Sequence, residues 1–247
     1  MNGDQNVAEH AFAEHAGTSV RVAVVVGLVA LGICACGMIA DPQQFMAAYL
    51  TSYLFFLSFP LGAMVLVMIY HLTGGAWGFV VRPALEAMVR TLPFWAIGFL
   101  PIAVGVSYLY LGARPEIVAA EAELQKKTFY LTVPLFYGRM AGFFALWIVL
   151  AALLSGWSRK LGHTGETKYA KRLVTISGPG LLAYGITIHF AAVDWVMSLQ
   201  PEFHSSIFGP LFVSGQVLSA FGLAAFVVCS PFRPRSWDAW QSSRALN

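Results

Sequence analysis

Six apolar runs divide this chain, each long enough to cross about 30 Å of hydrocarbon at 1.5 Å per helical residue. They fall at Val20–Ile39, Phe45–Tyr70, Leu92–Leu111, Leu131–Leu154, Leu173–Leu199 and Ile207–Cys229. The composition suits a membrane and not water. Of 247 residues, 58% are hydrophobic and 11% charged, against roughly 45–50% and 25% in ordinary globular chains. No segment alternates polar and apolar residues over ten positions, which argues against a β-barrel. The expected fold is all-α, a polytopic transmembrane bundle of six spanning helices over 20–230, with polar tails at 1–19 and 231–247.

The linkers carry the charges and most of the punctuation, as at Asp41-Pro42, Gly74-Gly75, Arg114-Pro115 and Gln200-Pro201. Prolines inside the runs, such as Pro60 and Pro179, are tolerable where neighbouring helices satisfy the freed carbonyls. The first nineteen residues hold acids and no Lys or Arg, so the first run reads as a retained helix and not a cleaved secretory signal. Eleven Lys and Arg fall on one side of the bundle, including Arg82, Arg90 and the 159–172 cluster. Three fall on the other, Arg114, Lys126 and Lys127. The positive-inside rule then puts both ends in the cytoplasm, and the expected location is a bacterial inner membrane. A net charge of +3 is too small to suggest nucleic acid. Cys34, Cys36 and Cys229 lack the spacing of a zinc site and read as small packing residues, so no metal is expected.

Ionisable groups inside a span cost about 2.5–3.5 kcal/mol each on insertion scales and need a reason. Arg139, His189 and Asp194 stand out. With the fourth helix running inward and the fifth outward, Arg139 and Asp194 lie about 12 and 8 Å below the same outer end. Two readings are open: an ion pair between antiparallel neighbours, or separate snorkelling of each side chain to the interface. On a helical wheel, Ser177, Gly180, Tyr184, Thr187, Ala191, Asp194 and Ser198 fall within a stripe about 100° wide. Such a stripe faces other helices. It serves either close packing, with hydroxyls bonded to carbonyls, or a hydrated proton track through Ser177, Tyr184, Thr187 and Ser198. His189 falls off the stripe.

Only His189 is plainly intramembrane among the histidines, and no Cys-x-x-Cys-His motif occurs, so no haem is expected. Aromatic and hydroxyl residues crowd the outer ends at Tyr49, Thr51, Tyr53, Phe55 and Phe56, and again at Phe129, Tyr130, Phe136 and Tyr137. Part of this is an interfacial belt. The rest suits a quinone head group, a flat lipophilic ring with oxygen acceptors.

The stretch Tyr70-His71-Leu72-Thr73-Gly74-Gly75-Ala76-Trp77-Gly78, followed by Arg82 and Glu86, resembles the loop after the second helix of the ActF-type membrane subunit of alternative complex III. The string Val193-Asp194-Trp195-Val196-Met197-Ser198-Leu199-Gln200-Pro201, running into Ser205-Ser206-Ile207-Phe208-Gly209, resembles it more specifically. That subunit belongs with the NrfD and polysulfide-reductase type of quinone-interacting membrane proteins. The resemblance spans about 20–229. It implies a non-haem subunit of a quinol:acceptor oxidoreductase, working beside iron–sulfur and multihaem cytochrome subunits and a homologous NrfD-like membrane subunit. By position, Asp194 becomes the carboxylate of a proton path, and His71 with Arg82 the loop motif. Members have about ten spanning helices in two four-helix bundles. The resemblance therefore implies a C-terminally truncated chain in which helices two to five form one bundle and helix six has lost its partners.

The functional expectation is a membrane subunit, and not an enzyme alone, that contributes a proton path through Asp194, Arg139 and His189 and part of a quinone or quinol site. One rival is a structural anchor that docks redox partners with its polar groups silent. A second is a small transporter, which usually carries an internal repeat; none is evident.

Overall fold

The computed structural model describes residues 21–22, 24–114, 118–119, 132–200 and 202–230. These are almost entirely helical, and no strand occurs among them. Both polar tails lie outside the described residues, as do Val20, Lys126, Lys127, Phe129, Tyr130 and Leu131.

Among the described residues, five helices are long and apolar enough to cross a membrane: Pro42–Thr73, Val80–Val104, Val133–Thr164, Thr167–Leu199 and Phe208–Cys229. A shorter apolar helix, Val24–Ala40, precedes them. We label the regular segments α1 (Val24–Ala40), α2 (Pro42–Thr73), α3 (Ala76–Val89), α4 (Leu92–Gly98), α5 (Leu100–Val104), α6 (Val106–Leu109), α7 (Val133–Thr164), α8 (Thr167–Trp195) and α9 (Phe208–Cys229).

The chain divides into two compact units, Met1–Tyr49 and Leu50–Asn247. In the first, Asp41 and Pro42 set the start of α2. The Asp41 carboxylate accepts from the Gln44 N–H at 3.0 Å, an N-cap, and Pro42 occupies the first helical position, where its missing N–H costs nothing. Cys34 and Cys36 are exposed on α1, and Cys229 is exposed at the end of α9. Cys229 is not a packing residue within its unit, which departs from the sequence reading.

The second unit is a packed bundle. Antiparallel α7 and α8 form its centre, α9 packs on α8 and α3, and α4 lies on α7. Helix α2 enters through close approaches: Met68 Sδ fills the space beside Gly180 of α8, and Gly62 lies against the backbone of Gln216 in α9. The last helix thus packs along one face, at Gly209, Gln216, Ala220 and Ala224, while Leu211, Leu218, Phe221 and Phe226 on its other faces stay exposed. The turns use glycine where the backbone needs it. Gly74 and Gly75 have φ of 66° and 103° between α2 and α3, and Gly165, with φ 66°, ends α7, a left-handed cap that other residues adopt at a cost.

The third span departs most from expectation. It runs over Val80–Val104, not Leu92–Leu111, and it is broken. Pro93 and Pro101 stand in the first positions of α4 and α5, and each removes a backbone donor the preceding turn would have used. Pro60 and Pro179 sit inside α2 and α8, each assigned as one uninterrupted helix.

Candidate functional site

Arg139 stands in the second turn of α7 and Asp194 in the last turn of α8. The two side chains meet. Arg139 Nε donates to Asp194 Oδ2 at 2.6 Å and Nη2 to Oδ1 at 3.1 Å, a two-pronged, charge-assisted pair. The Asp194 side chain is 1% exposed and that of Arg139 19%. The ion-pair reading of the sequence is the one the fold adopts. The placement is not one that helix stability asks for. A carboxylate in the last turn of a helix faces the negative end of the macrodipole, so Arg139 carries the compensation almost alone.

The end of α8 is tied down around the pair. Ser198 Oγ donates to the Asp194 carbonyl, and Tyr110 Oη donates to the Trp195 carbonyl at 3.1 Å, satisfying groups that a helix end leaves open. Beside the carboxylate lies a cavity of about 20 Å³, lined by Tyr110, Phe136, Arg139, Asp194 and Ser198 among others. That is room for one water molecule with polar partners within reach.

Inward from the pair the core becomes aromatic. Trp195, 1% exposed, is enclosed by Phe99, Phe144, Trp147 and Phe143, with ring centroids 4.7, 5.7, 5.9 and 6.4 Å away. Its indole Nε1 is buried without a hydrogen-bond partner. Trp147 Nε1 donates to Thr187 Oγ1 at 3.0 Å.

The stripe on α8 faces the bundle, as its residue types require: Ser177, Gly180, Tyr184, Ala191 and Asp194 are all buried, while Leu182, Ile186 and Phe190 of the same helix are exposed. Its hydroxyls do not form a chain. Ser177 donates to the Leu173 carbonyl at 2.6 Å, Thr187 to the Ala183 carbonyl at 2.8 Å, Tyr184 to Gln216 Oε1, and Ser198 to the Asp194 carbonyl. Thr187 also reaches the Tyr184 carbonyl at 3.1 Å, but among the described residues no hydroxyl of the four bonds to another hydroxyl. Each hydroxyl of the stripe thus has a protein partner close at hand.

His189 does not join the ion pair, which corrects its grouping with Asp194 and Arg139. Its ring packs against Gly209 at the start of α9 and lines a separate apolar groove with Leu182, Ile186, Phe190 and Val213. This is the direction its position on the wheel implies.

Arg82 is not on a loop. It lies inside α3, 7% exposed, in a second ionic cluster. Its Nε donates to Glu86 Oε1 at 2.6 Å and its Nη2 to Ser158 Oγ at 2.8 Å, while Ser158 Oγ donates to the same Glu86 oxygen at 2.6 Å. The guanidinium lies 5.4 Å from the centre of the Tyr70 ring. His71, in the last turn of α2, has a buried Nε2 with no partner. Sequence reasoning quoted Glu86 only as part of a motif and missed Ser158. Ser155 and Ser158, both buried and three apart on α7, are the signal that could have shown a polar face there.

Searched with this sequence, protein-family models give no match, and the curated proteins give none either.

Proposed function

We propose that this chain is a non-haem membrane subunit of a quinol-oxidising respiratory complex of the ActF type, in which the Arg139–Asp194 pair handles protons at one end of the bundle. The observation that carries the reading is that pair: a buried carboxylate, compensated by one arginine, beside a cavity of about 20 Å³. A carboxylate so placed can hold or release a proton as its neighbours change, because small shifts in water access or in the guanidinium position alter its charge balance strongly. The aromatic wall of Phe99, Phe144, Trp147 and Trp195 keeps the rest of the core from shunting that proton. In this reading the chain spans a bacterial inner membrane six times, with both ends cytoplasmic. Its partners are iron–sulfur and multihaem cytochrome subunits and an NrfD-like membrane subunit, and a quinone or quinol meets the assembly in the lipid.

A second reading is a silent anchor that docks redox partners. The local satisfaction of Ser177, Tyr184, Thr187 and Ser198 favours it. Extraction of the chain from its native membrane in mild detergent, followed by mass spectrometry and a haem stain, tests the assembly common to both. Recovery with iron–sulfur and multihaem proteins is expected. Recovery of the chain alone would overturn it.

A further inference from the structure

Between α2, the α8–α9 connection and α9 lies a groove of about 420 Å³, within the roughly 300–1,000 Å³ of small-molecule sites. Its walls are apolar and partly aromatic, with Leu54, Phe55, Leu199, Phe208 and Phe212 among them. Phe208 and Phe212 lie nearly parallel, their centroids 6.3 Å apart.

One side chain in this lining is out of keeping. Gln216 is 2% exposed. Its Oε1 accepts from the Tyr184 hydroxyl, and among the described residues its Nε2 donates to nothing. Two amide N–H groups left unpaired in an apolar setting are costly. Nor is the amide free to turn away. Tyr184, itself buried, holds the oxygen, and Gly62 lies hard against the Gln216 backbone. The donors are thus presented from a fixed position. Gln216 is eight residues past Phe208, about 12 Å along α9 from its first turn, well below the depth where lipid head groups end. Whatever satisfies it must carry a hydrogen-bond acceptor to that depth on an otherwise apolar body.

We propose that the α2–α9 groove binds a lipophilic ligand through a carbonyl oxygen that accepts from Gln216 Nε2, with Tyr184 as the positioning residue. The carbonyl comes from one of two sources, the ring of a quinone or the ester of a membrane lipid. The aromatic wall at Phe55, Phe208 and Phe212 suits the flat ring. The inference deepens the proposed function by locating such a ligand, but it does not use the ion pair.

The test uses the full chain in phosphatidylcholine nanodiscs, with a photoactivatable alkyl benzoquinone and, separately, a phosphatidylcholine carrying the photoactive group on its acyl chain. Peptide mapping should find label in 50–58 and 208–219. Gln216→Leu should reduce it about ten-fold, the loss of one hydrogen bond to a buried amide. Leu54→Trp fills the groove, leaves the Tyr184–Gln216 bond in place, and should reduce labelling at least as much. Label from the benzoquinone identifies a ring carbonyl, and label from the phospholipid alone an ester. No label in these stretches from either probe, or label that persists undiminished in either variant, overturns the site. Asp194→Asn should label like the natural sequence, so this site and the proton reading fail separately.

Discussion

Among the described residues the bundle holds two ion pairs with one buried member each, and they are built differently. Both touch α7, at Arg139 and at Ser158, nineteen residues apart and so about 28 Å along the helix. That is close to the hydrocarbon thickness of a bilayer. At the Ser158 end, Arg82 and Glu86 belong to one helix, four residues apart, and Ser158 bonds to both. Arg90 stands 3.8 Å from the second Glu86 oxygen. The charges are shared among several partners, and losing one leaves others. At the Arg139 end the pair bridges two helices, the carboxylate opposes the α8 dipole, and a small cavity adjoins it. The first arrangement fastens α3 to α7. The second concentrates its charges in a single pair between α7 and α8, beside a small cavity.

The sharpest way to break that contrast is to remove one partner at each end. Asp194→Ala leaves Arg139 without its counter-charge, and we expect a loss of about 3–5 kcal/mol in unfolding measured in detergent. The double change Arg139→Met with Asp194→Leu should recover most of it. Arg82→Met should cost less, about 1.5–3 kcal/mol, the range for hydrogen bonds to charged groups, because Ser158 and Arg90 still face Glu86. Equal losses at the two ends would erase the distinction. In the aromatic layer between them, Trp147→Phe removes the bond to Thr187 and should cost about 1 kcal/mol, readable as a small drop in unfolding midpoint. His71→Phe should be smallest. It deletes a buried nitrogen that has no partner, so stability should change by no more than about 1 kcal/mol, and in the favourable direction. A large loss there would show that His71 Nε2 is held by something in the membrane.

Much of this architecture is legible in the sequence, for reasons that also mark where legibility ends. Apolar length gives the spans at α2, α7, α8 and α9, because hydrocarbon thickness sets helix length directly. The third span is misplaced because Arg82 and Glu86 neutralise each other inside the bundle. Charge counting along the chain sees only two loop residues. The Arg139–Asp194 pair is readable because opposite charges at matched depth on consecutive helices have few other ways to be satisfied. His189 shows the reverse. Its position on the wheel already separates it from Asp194, and grouping it by residue type alone puts it in the wrong site. The hydroxyls of α8 are correctly placed on the buried face, but their partners depend on rotamers and on Gln216 from α9, which periodicity within one helix does not contain.

The central claim is that Asp194 moves protons and does more than hold α7 to α8. The most direct measurement is proton release per quinol oxidised by the assembled complex in proteoliposomes, carrying Asp194→Asn, which keeps the shape of the side chain and removes its titration. The account predicts an assembled complex whose proton release falls sharply. Unchanged release with unchanged turnover would contradict it and leave the ion pair as a fastening alone.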